Sequence, residues 1–216
     1  MSTVSHLQSG ILERIKPIHR KFRSQKTELF LKSIGEISPH SRLLDVGGGP
    51  GVDGEFLSLY SRFADVMVVN LDSHTFEVSP GIHLRTMVAD GRALPFRGGS
   101  FDWVFSNAVI EHVGGWKDQV RFAEEIRRVA SKGYFVATPN RHFPLEPHTL
   151  IPFYQFFPVG LQRRVAPYSP GYLRRYEEIN LLSASQMQDL FPEASILLVG
   201  TPVIHNNLIA SYRATR

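Results

Sequence analysis

Short segments rich in apolar residues alternate along the chain with longer segments of helical spacing. The first kind is four to seven residues long, which is typical of buried strands, and it occurs at residues 43–46, 65–70, 82–88, 101–106, 134–138, 195–199 and 207–212. The second kind places apolar side chains three and four positions apart, and it predicts helices at residues 52–60, 116–131 and 183–191. Strands that alternate with helices predict a parallel sheet with helices on both faces.

The last two predicted strands break that alternation. Only residues 200–206 separate segment 195–199 from segment 207–212, whereas a crossover between parallel strands needs a dozen residues or more. We therefore expect these two strands to pair as a hairpin. The predicted fold class is α/β, with a mostly parallel seven-stranded sheet and one antiparallel strand near the C-terminus. Ser183 or Ser185 is the expected N-cap of the helix that precedes the pair.

A glycine-rich turn follows the first predicted strand. Residues 43–51 read LLDVGGGPG, and glycines at the end of a buried strand let a ligand approach the backbone. A strand, a glycine turn and a helix in this order predict a nucleotide-type site at the carboxyl end of the strand. The spacing departs from the G-x-G-x-x-G fingerprint, and Pro50 removes an N–H that a pyrophosphate could use. A dinucleotide-dependent dehydrogenase is therefore disfavoured.

The basic character of the chain is concentrated in its N-terminal arm. Residues 1–40 contain seven Lys or Arg and three Glu, which accounts for the net charge of +4 of all 216 residues. Apolar residues at helical spacing predict one or two amphipathic helices within residues 9–34. The arm either packs on the domain with a solvated basic face or contacts an anionic membrane or a phosphate-bearing substrate through residues 14–32.

Composition and hydropathy exclude several classes of protein. The chain has no Cys, which excludes disulfides, zinc–cysteine sites and cysteine nucleophiles. It has no apolar run of 18 or more residues, so we expect no membrane span. Its first residues lack the apolar core of a signal peptide, and we expect a cytoplasmic protein.

Four motifs at successive strand ends carry a family resemblance. They read DVGGGPG at 45–51, NLD at 70–72, ADGRALPF at 89–96 and FDWVFSNAVIEHV at 101–113. Together with the terminal strand pair, they resemble the class I S-adenosylmethionine (SAM)-dependent methyltransferases of small molecules, of the type 11-like superfamily. The resemblance covers roughly residues 42–139 and 183–212. It implies a Rossmann-like fold and SAM as the cofactor.

The resemblance implies cofactor-binding roles around the glycine turn. Gly47, Gly49 and Gly51 would let the backbone approach the methionine and ribose moieties of the cofactor, beside a helix N-terminus. Asp45, just before the turn, would hold the ammonium group. Asn107, at the end of the fourth strand, would contact the methionine moiety through its backbone.

The next two strand ends complete the predicted cofactor site. Asp72 would accept hydrogen bonds from both ribose hydroxyls through its two carboxylate oxygens. Asp90 would accept one from the adenine amino group, and the backbone of Gly91 would face the ring. Helix capping or turn formation is the alternative role for an isolated aspartate in such a place, but three of them at one edge of the sheet favour the cofactor.

Methyl transfer itself requires few chemical groups from the protein. The acceptor must be aligned within about 3–3.5 Å of the methyl group, and an oxygen or nitrogen acceptor must lose a proton. Glu111 and His112 follow the fourth strand, and His112 is a candidate for the catalytic base or for orienting the loop. The ubiquinone-pathway O-methyltransferases that this segment resembles have an acid three residues before the Glu, which forms a metal site. Ala108 stands there instead, so we predict no metal.

Residues 139–180 form the least generic part of the chain. They contain seven of the fourteen prolines and eight aromatic residues, and a connection of this length and apolar content is usually functional. We predict an acceptor-binding lid over the carboxyl edge of the sheet. Segment 138–153 is similar to one in methyltransferases of bacterial polysaccharide and glycolipid synthesis. His142, Glu146 and His148 are further candidates for the base, and alternatively they ligate zinc or iron or hydrogen-bond the loop.

The leading hypothesis is a SAM-dependent methyltransferase acting on oxygen of a sugar, a lipid-linked compound or a similar small molecule. One alternative is an RNA methyltransferase whose basic arm grips phosphates, although the neutral remainder offers no extended basic surface, and we expect no DNA partner. Another alternative is a non-catalytic SAM-binding adaptor. The predicted organisation comprises an arm at 1–40, a methyltransferase domain at 41–138 and 181–216, and the lid at 139–180.

Overall fold

The computed structural model of the protein describes residues 24–49, 57–73, 81–200 and 205–214. Gly51, the first part of the helix predicted at 52–60, and residues 14–23 of the basic arm lie outside these ranges. None of the helices within them is long and apolar enough to cross a membrane.

Seven strands form one sheet, as the apolar segments predict. They are β1 (Arg42–Val46), β2 (Asp65–Asn70), β3 (Leu84–Val88), β4 (Phe101–Asn107), β5 (Ala130–Pro139), β6 (Ser195–Gly200) and β7 (His205–Arg213). Their order across the sheet is β3-β2-β1-β4-β5-β7-β6. Strands β1 to β5 pair in parallel, whereas β7 runs antiparallel to both β5 and β6. The predicted fold class, with its one antiparallel strand and terminal hairpin, is confirmed.

Five helices accompany the sheet in the described ranges. They are α1 (residues 24–34), α2 (Leu57–Tyr60), α3 (Trp116–Val129), α4 (Val159–Val165) and α5 (Ala184–Leu190). Of the two predicted N-caps of α5, Ser183 is the one that the structure shows. Its hydroxyl accepts a hydrogen bond from the Gln186 N–H, and the Gln186 side-chain oxygen accepts one from the Ser183 N–H. Helix α3 ends two residues earlier than predicted, because Ala130 is already extended and begins β5.

The core consists of two apolar layers, one on each face of the sheet. One layer packs β-strand side chains against α3 and α5, including Phe122, Ile126 and Met187. The other packs them against α1 and α2. In this second layer the Phe30 ring from α1 lies 5.2 Å from that of Phe105 and 5.4 Å from that of Phe135 between centroids. Residues 24–34 of the arm are therefore anchored in the core.

The long connection between β5 and α5 lies over the carboxyl end of β4. Its backbone bridges Asn140 to Leu182 at the base, and the Asn180 N–H donates to the Glu111 carbonyl at 2.8 Å. Helix α4 lies between two 3₁₀ turns, Tyr154–Phe156 and Ala166–Tyr168, and these short pieces replace any long regular element. Residues 140–183 thus lie at the edge of the sheet where the four motifs end.

Candidate functional site

A cavity of about 440 Å³ opens where the strand order reverses, between β1 and β4. Ligands of open α/β sheets bind in such a crevice, outside the carboxyl ends of the strands, and the volume is in the range of small-molecule sites, about 300–1,000 Å³. The cavity is formed by the four predicted motifs together, and its wall includes Gly47, Leu71, Asp90, Gly91, Val109 and His112.

The glycine turn forms one wall because it has no side chains there. Gly47 has φ +82°, and its N–H donates to the Val69 carbonyl at 2.7 Å. A Cβ at this position would lie 2.8 Å from Cγ1 of Val109 and closer still to Cγ2. A Cβ at Gly49 would instead meet no described atom within 4 Å. Gly47 is thus a steric requirement of the turn, whereas the described residues place no such requirement on Gly49.

Asn70 holds the turn in place, a role that the sequence does not reveal. Its amide nitrogen donates to the carbonyls of Gly48 at 2.9 Å and Gly47 at 3.3 Å, and its amide oxygen accepts from the Leu71 N–H. The motif at 70–72 therefore contributes a structural clamp as well as the predicted ribose ligand. Asp72 itself is exposed and follows Leu71 of the cavity wall, but it is not among the residues that line the cavity, so its contact with the ribose stays a prediction.

Asp45 is buried beneath the turn and does not line the cavity. It is 2% exposed, and its carboxylate accepts from the Tyr60 hydroxyl at 2.5 Å. Burial raises the pKa of Asp45 to about 7, against a smaller lowering by the Tyr60 hydrogen bond. A contact between Asp45 and the ammonium group of a cofactor stays a prediction.

Asp90 and Gly91 form the opposite wall. The Arg92 guanidinium donates to both oxygens of Asp90, with its Nη2 2.7 Å from Oδ2, and this bond holds the pKa of Asp90 below its usual value. A Cβ at Gly91 would lie 2.7 Å from the Phe122 ring. Asp90 is therefore an ionised acceptor at the cavity wall, and Arg92 is a positioning residue that the sequence motifs do not single out.

Arg92→Ala should weaken the affinity for S-adenosylhomocysteine (SAH), the demethylated product of SAM, by about 3- to 10-fold. Arg92 also donates to the Val113 carbonyl at 3.0 Å, so its loss frees both Asp90 and the loop after β4. A charge-assisted bond of this partly exposed kind contributes about 1 kcal/mol. Isothermal titration calorimetry measures the change, and Arg97→Ala, on the exposed part of the same loop, is the control that should bind as wild type. Equal affinities of the two variants would contradict the role of Arg92.

Asn107 ends β4 and is tied to helix α1. Its side-chain oxygen accepts from the Lys26 ammonium at 2.8 Å, although Lys26 is only 6% exposed. The predicted backbone contact of Asn107 with a methionine moiety is untested. Lys26 is one of the basic residues assigned to a contact with an anionic partner, and its burial removes it from any such surface, whereas Lys32 is exposed.

Four polar side chains meet beside the cavity, from two segments far apart in the chain. His112 lines the cavity, and its Nε2 lies 3.1 Å from Nε2 of His148. Nδ1 of His148 hydrogen-bonds the Glu146 carboxylate. Glu111 lies beside them, with its Oε1 4.0 Å from Nε2 of His112. We refer to Glu111, His112, Glu146 and His148 as the histidine cluster.

Burial and hydrogen bonding set the charges within the histidine cluster. Glu146 is buried, yet bonds from His148 and Thr149 outweigh the desolvation and lower its pKa. His148 is also buried, and its bond to Glu146 raises its pKa in spite of that burial. Burial lowers the pKa of His112. In the cluster, the bond to Glu146 thus favours the charged form of His148, whereas the neutral form of His112 is favoured at the cavity wall.

The structure brings together three of the four side chains predicted to act in catalysis. His112, Glu146 and His148 are neighbours, while His142 is exposed on the insert and its ring makes none of the contacts of the cluster. The sequence marks Glu111 only as the neighbour of His112. The signal that reveals its part is its fully buried carboxylate, which no local pattern encodes.

Comparisons with known proteins agree with this geometry. Residues 44–137 match the family described as "Methyltransferase domain". A protein of Mycolicibacterium gilvum (strain PYR-GCK), described as an uncharacterized methyltransferase, is 34% identical over 113 residues, which cover 49% of this chain and 41% of that protein. The chain therefore spans less than half the length of this curated relative.

Two solved structures show the same fold at low sequence identity. Magnesium protoporphyrin IX methyltransferase from Synechocystis PCC 6803, with bound SAH, is 16% identical with a TM-score of 0.60, over 94% of this chain and 87% of that one. Geranyl diphosphate C-methyltransferase from Streptomyces coelicolor A3(2), also a complex with SAH, is 14% identical with a TM-score of 0.59, over 88% and 77%.

The family match and the sheet order lead to one conclusion about the class of protein. Residues 44–137 match a methyltransferase domain and the sheet has the strand order given above, which confirms the resemblance to SAM-dependent methyltransferases carried by the four motifs. SAM is the cofactor of that type of domain, in agreement with the cofactor predicted from the sequence.

Proposed function

We propose that the protein is a methyltransferase that transfers the methyl group of SAM to an oxygen atom of a small-molecule acceptor, such as a sugar or a glycolipid. The observation that carries the proposal is the position of the histidine cluster. His112 belongs both to the wall of the cavity and to the cluster, so polar groups able to bind a hydroxyl stand directly beside the proposed donor site.

In this proposal the cofactor lies along the cavity. Asp90 and Gly91 would hold the adenine end, with Asp72 at the ribose, and the backbone of Gly47 and Asn107 would hold the methionine end. Gly47 and Gly91 support this assignment because both line the cavity, so that their backbone would face the cofactor. Packing within the protein also requires these glycines, since a Cβ at either one would lie within 3 Å of Val109 or Phe122. SAM supplies an activated methyl group, so the residues of this chain bind and align the two substrates.

A second cavity adjoins the first and suits a hydroxylated acceptor. It has about 330 Å³ and shares Glu178 with the donor cavity. Its lining is largely amide, charged and aromatic, and includes Trp116, Arg141, Gln155 and Tyr176. The buried Gln155 side-chain oxygen has no hydrogen-bond partner among the described residues, and a buried acceptor of this kind is usually satisfied.

The acceptor class is the part of the proposal that rests on this chain alone. Proteins of the same fold act on acceptors as different as a porphyrin and geranyl diphosphate, because the acceptor site lies in segments outside the shared sheet. In this chain that segment is the insert at 139–180, which contributes Arg141, Gln155 and Tyr176 to the second cavity. A polar lining favours a sugar-containing acceptor over an apolar one.

Methyl transfer from isotopically labelled SAM to fractionated cell extracts tests the proposal. The label is expected in a hydroxyl-bearing compound of low molecular mass, as a methyl ether that resists mild base. His148→Gln should lower the rate by about 100-fold or more while the affinity for SAH stays within about twofold. His83→Gln, at an exposed position before β3, is the matched control.

The outcome that contradicts the proposed acceptor is label in RNA, in protein or at a nitrogen atom. Absence of any labelled product, together with full SAH binding, would favour the non-catalytic adaptor instead. The partner contact predicted for residues 14–32 is a separate matter, because most of that segment lies outside the described residues.

A further inference from the structure

We infer that Glu111, His112 and His148 bind a divalent metal ion of the zinc type at the wall of the donor cavity. The three side chains offer one carboxylate oxygen and two imidazole nitrogens, and these ligand atoms lie within 4.8 Å of one another. The sequence predicted no metal, because Ala108 occupies the position of the acid that forms a metal site in a related group. The structure supplies a ligand from elsewhere, since His148 comes from the insert.

The spacing of the two imidazoles matches that of two ligands on one ion. Their Nε2 atoms are 3.1 Å apart. Two nitrogens that each lie about 2.0–2.1 Å from a zinc ion in tetrahedral geometry are separated by about 3.3 Å. The two rings meet edge to face, at 88° between planes. Either one proton or one cation must lie between them.

Glu111 distinguishes the cation from the proton. Its side chain is fully buried, and its Oε2 accepts from the Thr138 hydroxyl at 2.9 Å. Its Oε1 has no hydrogen-bond partner among the described residues and lies 4.0 Å from Nε2 of His112. A proton shared by the two histidines leaves this oxygen unsatisfied, which is costly for a buried carboxylate. A cation between the rings would satisfy all three atoms once their separations, which are at most 4.8 Å, close by up to about 1.5 Å.

The surroundings of His148 are those of a metal-binding imidazole. Ligating histidines usually donate their second ring N–H to a carboxylate, which fixes the tautomer and the direction of the first nitrogen. Glu146 is that carboxylate here, and it is held in turn by the Thr149 N–H and hydroxyl, both at 2.7 Å. When Nδ1 of a neutral His148 donates to Glu146, its lone pair lies on Nε2, the atom that is 3.1 Å from Nε2 of His112.

The ligand set and its position suggest the role of the ion. Two histidines and one carboxylate leave an open position on zinc, as in catalytic sites. His112 lines the donor cavity, so the ion would stand at the wall of the proposed donor site. It would lower the pKa of an acceptor hydroxyl, whose proton would pass to water. The acceptor oxygen would then form its bond to the methyl carbon while the methyl–sulfur bond breaks, which leaves neutral SAH. This role rests on the proposed function, whereas binding of the ion does not.

Titration of the full-length, chelator-treated protein with Zn²⁺ and with Co²⁺ tests the proposal. We expect about one equivalent to bind with micromolar or tighter affinity, and Co²⁺ to give the visible absorption of a four-coordinate site. His112→Gln, His148→Gln and Glu111→Gln should each abolish tight binding. Glu146→Gln should weaken it by about 10- to 100-fold, because Glu146 acts through His148. Thermal unfolding without metal checks that each variant is folded.

Two control variants test whether the ion binds to these three ligands. His142→Gln and His83→Gln alter exposed imidazoles and should bind Zn²⁺ as wild type. Loss of binding in His142→Gln would assign the ion to the other ligand set, of His142, Glu146 and His148, and would overturn the proposal. Binding weaker than about 100 µM, or binding unchanged in His112→Gln and His148→Gln, would do the same.

The metal proposal and the proposed function fail in different ways. Full methyl transfer by chelator-treated protein, with no tight Zn²⁺ binding, contradicts the metal site and leaves the methyltransferase intact. Tight Zn²⁺ binding by a protein that methylates no acceptor confirms the site and contradicts the function.

Discussion

Gly47→Ala should reduce the affinity for SAH by about 100-fold or more and destabilise the fold by about 2–4 kcal/mol. Two costs add at this position. The backbone has φ +82°, which costs a residue with a Cβ about 1–2 kcal/mol. The new methyl group would also lie 2.8 Å or less from the Val109 side chain, so the turn must move, and the turn forms a wall of the donor cavity. A loss of about 2.7 kcal/mol in binding corresponds to 100-fold in affinity.

Gly49→Ala is the matched control for this prediction. It lies two residues later in the same turn, φ at Gly49 is not positive, and its Cβ would meet no described atom within 4 Å. SAH affinity by calorimetry and unfolding by urea should therefore change far less than in Gly47→Ala. If both variants bind SAH equally well, the turn is not a wall of the cofactor site. If both lose binding equally, the Val109 contact is not the cause.

The contribution of Asp45 to the free energy of unfolding of the ligand-free protein should fall as the pH rises from about 4 to about 7. Its pKa is about 7 in the folded protein and about 3.9 in the unfolded chain, so the folded state binds the proton more tightly. The stabilisation is therefore fully present below the unfolded pKa, is lost as the pH rises through the folded pKa, and stays absent above it. The loss amounts to as much as about 4 kcal/mol.

Asp45→Asn isolates this contribution. An amide oxygen still accepts from the Tyr60 hydroxyl, but it carries no charge to bury, so the variant should be more stable than wild type at pH 8 and similar at pH 4. Tyr60→Phe removes the donor at 2.5 Å, which should raise the pKa of Asp45 further and lower stability at pH 8. Urea denaturation across this pH range measures both effects. Asp189→Asn, at an exposed position on α5, should follow wild type, and a variant Asp45→Asn that also follows wild type would contradict the burial argument.

The number and order of the strands along the chain could be predicted from the sequence because each strand is a short apolar segment, whereas some ends differ: β5 begins at Ala130, four residues before the predicted segment. Strand β2 was predicted at its observed limits, Asp65–Asn70. Antiparallel pairing of β6 and β7 followed from the short loop between them, which excludes a crossover. The cavity at the reversal of strand order followed from the glycines of the first motif, since the carboxyl ends of parallel strands share one edge of a sheet.

Side-chain directions at the site could not be predicted in the same way. Asp45 stands next to the glycine turn in the sequence, yet its carboxylate faces Tyr60, because successive side chains of a strand point to opposite faces. Lys26 looks like part of a basic surface, but the register of α1 turns it toward Asn107. The sequence shows which residues share one face of a helix or strand, whereas the packing of these elements determines which groups each side chain contacts.

The histidine cluster is the feature of the site that local sequence patterns predict least. The contact between His112 and His148 spans 36 residues, and it depends on the path of an insert without long helices or strands. Leu150 and Phe153 have positive φ, at 57° each, which is uncommon for residues with large side chains. They bend the chain around Glu146 and His148, so the cluster exists only in the folded insert.

A crystal structure of the protein with SAH would show where the sulfur atom lies, and the proposed function depends on that position above all. We expect the adenine between Asp90 and Gly91, and the sulfur directed toward His112 and His148 across the open part of the cavity. The second cavity should then meet the donor cavity at the position of the transferred methyl group. SAH bound elsewhere, or bound with its sulfur directed away from the histidine cluster, would contradict the proposed function.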